Sequence, residues 1–108
     1  MKIAVSSKGG ALLAQMDERF GRCEYFVIVD SETMKFTAFS NPNYSASGGA
    51  GPASAREIAK HGAEVLITGK VGVNAQQALA AAGIKVVTGV SGTVKSVVED
   101  YLKSSPSQ

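Results

Sequence analysis

Two short apolar runs in the second half of the chain constrain its architecture most. Val65–Thr68 ("VLIT") and Ile84–Thr88 ("IKVVT") are each flanked by segments with helical patterning. The continuous apolar run of the first reads as a strand buried on both faces, and the second is read as another buried strand. The flanking segments predict helices over Pro52–His61, Val73–Ala82 and Val94–Lys103. Pro52 suits a first helical position, Gly62 and Gly83 suit helix ends, and Thr93 suits an N-cap. Strands that alternate with helices call for a layered α/β sheet with parallel neighbours.

The first half adds antiparallel pairing. Lys2–Ser6 reads as a strand, and Glu24–Asp30 ("EYFVIVD") is dense in aromatic and β-branched residues. Met34–Ser40 alternates and pairs with it through the turn "DSET", which makes a hairpin and a mixed sheet. Ser7–Arg22 reads as irregular, with a helical turn around Leu12–Met16, and Asn41–Gly51 as a polar, glycine-rich loop. The expectation is a single domain over residues 1–103 with a frayed tail at 104–108.

Composition narrows the function classes. The 108 residues carry a net charge of +2, with scattered basic residues and no tryptophan, which argues against nucleic acid. No signal-peptide pattern or membrane-spanning apolar run is present, so the expected location is cytoplasmic, away from the membrane. The single cysteine, Cys23, excludes an intrachain disulfide.

Three stretches are candidate sites. "SASGGAGPASAREIA" (Ser45–Ala59) looks like a phosphate loop, but its G-G-x-G spacing is not a dinucleotide fingerprint and no lysine follows the glycines. What remains is a helix start able to receive an anion, with Gly48, Gly49 and Gly51 allowing close approach, or a plain connection. In "MDERFGRCEYFVIVD" (Met16–Asp30), Arg19 and Arg22 offer donor forks around Phe20-Gly21. Cys23 there is either a soft metal ligand or a small buried hydrophobe. In "TGKVGVNAQQAL" (Thr68–Leu79), Gly72 and Asn74 lie where a strand–turn–helix unit places ligands, or serve ordinary turn chemistry. His61, the single histidine, reads as a helix-end cap, and no acid–base or nucleophile set emerges, so an enzyme is not expected.

"MKIAVSS", "RFGRCEYFVIVD", "NP" followed by "GGAGPASA", and "GAEVLITGKVGVNAQQALAAAGIKVV" occur in this order over about Met1 to Leu102. Together they resemble the dinitrogenase iron–molybdenum cofactor family of nitrogenase accessory factors, in a small stand-alone form. The resemblance implies a three-layer α/β/α fold with a mixed five-stranded sheet of ribonuclease H-like type. It also implies a non-catalytic carrier for an iron–sulfur or iron–molybdenum-type cluster, bound transiently and exchanged with cluster-assembly proteins by a monomer or weak homodimer. The implied cofactor-binding face is Arg19, Phe20, Gly21, Arg22, Cys23, Gly48, Gly49, Gly51, Gly72 and Asn74, with Cys23 as the metal ligand. A protein-held four-iron cluster normally takes four cysteines. One per chain leaves three options: docking through one thiolate, sharing between two chains, or no cluster. A module that binds a small anion or a partner protein without metal is the alternative.

Overall fold

The computed structural model describes residues 1–44 and 50–104. The strands are β1 (Lys2–Ser7), β2 (Tyr25–Asp30), β3 (Phe36–Ser40), β4 (Val65–Ile67) and β5 (Lys85–Val87). The helices are α1 (Ala50–Lys60), α2 (Val73–Ala81) and α3 (Val94–Ser104). They form one five-stranded sheet in the order β3-β2-β1-β4-β5. β1 pairs antiparallel with β2 and parallel with β4, so the sheet is mixed, as expected.

Strand alternation sorts the core into two layers. Ala4, Phe26, Ile28 and Leu66 face α1 and α2, meeting Ala55, Ile58, Ala75 and Leu79. Ile3, Val5, Val27, Val29 and Ile67 face α3, meeting Val94, Val97 and Val98. Thr93 caps α3 as its residue type predicts, its Oγ1 accepting the Ser96 N–H at 3.1 Å.

Several boundaries differ from the sequence expectation. α1 starts at Ala50 rather than Pro52, so Gly51 is helical. Pro52 is tolerated there because first-turn amides have no intrahelical acceptor anyway. The turn expected around Leu12–Met16 is confined to Leu12–Leu13, closed by Ala14 N–H to Ala11 O at 3.1 Å, and Gln15 and Met16 bridge Thr93 and Ser7 in extended geometry. β5 is not buried on both faces, since it is a sheet edge with Lys85 exposed. The hairpin closes through Met34 at φ 60, whose N–H donates to the Asp30 carbonyl at 2.7 Å. Ser104 still belongs to α3, and the rest of the expected tail lies outside the described residues.

The consequence for function is where the loops gather. The carboxyl ends of β1, β3 and β4 and the amino end of β2 share one edge of the sheet. The loop before β2 and the starts of α1 and α2 therefore meet there.

Candidate functional site

A cleft of about 450 Å³ opens at that edge. The loop before β2 contributes Arg19, Phe20, Gly21 and Arg22 to it, and α1 contributes Ala50, Gly51 and Pro52. Lys70, Gly72, Val73, Asn74 and Ala75 come from the β4–α2 connection. Three segments far apart in sequence thus build one wall each.

Two close approaches hold these walls together. Residues 18–20 run beside Lys70 as an added rung: Lys70 N–H donates to Glu18 O at 2.7 Å and Phe20 N–H to Lys70 O at 3.4 Å. A Cβ on Gly69 would lie 2.5 Å from Glu18 Cβ, so only glycine lets these backbones meet. Gly21 fits against the start of α1, where an added Cβ would sit 2.9 Å from Gly51 N. Gly51 in turn fits against α2, its absent Cβ 2.8 Å from Ala75 Cβ. Gly72 differs: it has ordinary extended backbone at φ −73, ψ 166, with nothing within 4 Å of an added Cβ.

Asn41, which the sequence reading did not single out, fastens the loops from behind. Its Nδ2 donates to Gly21 O at 3.1 Å and to Cys23 O at 2.9 Å. Its Oδ1 accepts from Asn43 N–H at 3.0 Å and from Ser54 Oγ at 3.3 Å. One buried amide therefore ties the loop before β2 to α1. A loop asparagine before proline gives no sequence signal of that role.

The electrostatics of the cleft are one-sided. Arg19, Arg22 and Lys70 line it, and no carboxylate does. Neither α1 nor α2 has an acidic residue in its first turn, and Gly72 gives α2 no side-chain cap. Among the described residues, the amides of Val73, Asn74 and Ala75 have no acceptor. Two helix starts therefore present their positive ends to the same space as three cationic side chains.

Seven of the sequence-derived positions line this cleft: Arg19, Phe20, Gly21, Arg22, Gly51, Gly72 and Asn74. Gly48 and Gly49 lie outside the described residues. Cys23 does not line it: the side chain is fully buried in the core beside Phe20 and Phe26. Burial pushes its thiol up to about 12, against smaller opposing hydrogen bonds that include one from Asn41. A neutral, buried thiol is a poor nucleophile and a poor ligand. Native protein at pH 8 is expected to resist iodoacetamide, with alkylation appearing only as denaturant opens the core. Rapid modification of the folded protein would contradict this placement. Lys70 gives no sequence signal of its own, because "TGKVGVN" points to ligand or turn chemistry through its glycines and asparagine. His61 stacks on Phe39 at 3.9 Å, and its Nδ1 lies 3.0 Å from the Glu57 carbonyl oxygen, as a helix-end residue does.

The family model described as "Dinitrogenase iron-molybdenum cofactor" matches residues 1–104. The chain belongs to the dinitrogenase iron–molybdenum cofactor family. Among solved structures it is similar to the apo form of the orange protein from Desulfovibrio gigas, at 44% identity and a TM-score of 0.91. That match covers 94% of this chain and 87% of the other. It is also similar to a Thermotoga protein described as a candidate NifB, at 34% identity and a TM-score of 0.82. There the coverage is 95% of this chain and 88% of the other. No curated protein sequence matches it. This member of the iron–molybdenum cofactor family thus has the mixed-sheet α/β fold of its solved neighbours. Among its described residues no helix is long and apolar enough to cross a membrane. No group of three or more His, Cys, Asp or Glu that could hold a metal ion occurs among them either.

Proposed function

We propose that this protein binds and carries an anionic metal cluster of the iron–sulfur or iron–molybdenum type, or a precursor of one. The observation that supports this reading is the cleft itself: three cations and two helix starts converge on it with no opposing carboxylate in the lining. Membership of a family described by the iron–molybdenum cofactor supports this class of cargo.

Cys23 has no part in holding the cargo in this reading, because it is buried as a neutral thiol. The cluster would bring its own sulfide or organic ligands, and the protein would grip it by charge and by backbone N–H groups. Such a grip is weaker than thiolate ligation and weakens further with salt, which suits a protein that passes its cargo to assembly partners. The same lining would accept a metal-free polyanion, which is the competing reading.

Anaerobic incubation with iron, sulfide and molybdate, then desalting, visible absorption and metal analysis, separates the two. Wild type is expected to retain coloured metal, and Lys70→Glu to retain at least tenfold less at an unchanged melting temperature. Equal, negligible metal in both proteins would sink the cluster reading. Thermal stabilisation by pyrophosphate in the absence of metal would then favour the competing one.

A further inference from the structure

The Asp17–Arg19 ion pair joins the core to the cleft. The Asp17 side chain is 4% exposed and that of Arg19 60%. Asp17 is pinned on its main chain: its N–H donates to Ser6 O at 2.9 Å, and Ser6 Oγ donates to its carbonyl at 2.6 Å. Ser6 Oγ and Thr68 Oγ1 share a further hydrogen bond of 2.7 Å, which ties this anchor to the ends of β1 and β4. The Asp17 carboxylate is itself held by backbone, its Oδ1 accepting the Arg19 N–H at 2.9 Å.

The Arg19 guanidinium is held differently. It grips Asp17 through one fork, Nε to Oδ1 at 3.2 Å and Nη2 to Oδ2 at 3.0 Å. It also stands between two cavities, lining both the cleft and a second space of about 330 Å³ bordered by Lys8, Glu18 and Ser91. Its partner is buried and anchored by hydrogen bonds, while the guanidinium is exposed and borders open space on both sides.

We infer that Asp17 is a built-in competitor for the anion that enters the cleft. It occupies the Arg19 fork, and an incoming ligand gains the full charge of Arg19 only by taking that fork over. The inference rests on the anion-binding reading of the cleft. It specifies the ligand further: to displace a carboxylate from a two-pronged donor, an anion must present two acceptor atoms at similar spacing. The edge of a tetrahedral oxyanion or a pair of sulfides on a cluster face does this, and a monatomic anion does not. Asp17 also eases release, because the fork closes on it again as the cargo leaves.

Calorimetric titration with molybdate, at constant ionic strength, reads the competition. Asp17→Asn keeps the size of the side chain and removes its charge. It is expected to bind molybdate about five- to tenfold more tightly than wild type, the effect of removing one partly solvated opposing charge. Adding Arg19→Ala should erase that gain. On the wild-type protein, the Arg19 Nε–H resonance should shift as molybdate saturates, and chloride should leave it in place. Binding that Asp17→Asn leaves unchanged or weakens, or an Nε–H resonance that does not move, overturns this inference alone. Absence of binding by wild type and Asp17→Asn, with either molybdate or pyrophosphate, overturns the anion-binding cleft and this inference with it.

Discussion

Asn41→Ala is expected to lower the unfolding free energy by about 3–4 kcal/mol, since net hydrogen bonds contribute about 1 kcal/mol each and stranded buried carbonyls cost more. The side chain makes four hydrogen bonds of 2.9–3.3 Å in a site only 4% exposed. Alanine would leave the Gly21 and Cys23 carbonyls without that donor and Ser54 Oγ without its acceptor. Asn41→Asp should be as damaging, because a carboxylate cannot donate to two carbonyl oxygens. Urea titration would show a lower midpoint at constant slope. A loss below about 1 kcal/mol, the size of a single ordinary hydrogen bond, would refute the role of Asn41 as the fastening of these loops.

Gly69→Ala and Gly72→Ala should diverge sharply although the two glycines stand three residues apart. At Gly69 the new methyl would meet Glu18 at Cβ 2.5 Å, Cα 2.7 Å and O 2.8 Å, so backbone must move. Forced overpacking of this kind costs about 1–3 kcal/mol, and the upper end applies where main chain is the obstacle. Because the displaced rung carries Arg19 beside Lys70, anion binding should fall together with stability. At Gly72 the methyl meets nothing and the backbone is ordinary, so stability should change by less than about 0.5 kcal/mol. Melting curves of the two variants side by side decide it; equal losses would show that the Gly69 contact is not tight.

These two glycines also show what a sequence reader can and cannot extract. "TGKVGVN" marks a strand–turn–helix unit, and α2 begins where its pattern predicts. That Gly69 is needed against Glu18, fifty-one positions earlier, depends on pairing that no local pattern encodes. Apolar periodicity revealed all five strands because alternation and burial on a sheet leave a direct imprint. The start of α1 was less legible, since "GGAGP" has the composition of a loop, whereas Gly51 is helical and packs closely on Gly21 and Ala75. β5 misled because an apolar run does not say whether a strand is central or at an edge. Cys23 stayed open between ligand and buried hydrophobe because its charged neighbours suggest solvent, and only the packing shows its side chain with Phe20 and Phe26 in the core. Asn41 and Lys70 are individually ordinary residues, and only the meeting of three loops gives them a role.

That meeting of distant segments has a kinetic consequence. The cleft needs β1 beside β4, a parallel pairing of Ile3 with Val65 across sixty-two positions of chain. Contacts of such separation form late, after local turns and helices, because loop closure must come first. No nascent fragment ending before Ala75 has all three walls, so a ligand of the cleft finds no site until synthesis has passed that point. Binding is then coupled to global rather than local opening, and an occupied cleft would slow hydrogen exchange in the central strands of the sheet as well as at its edge.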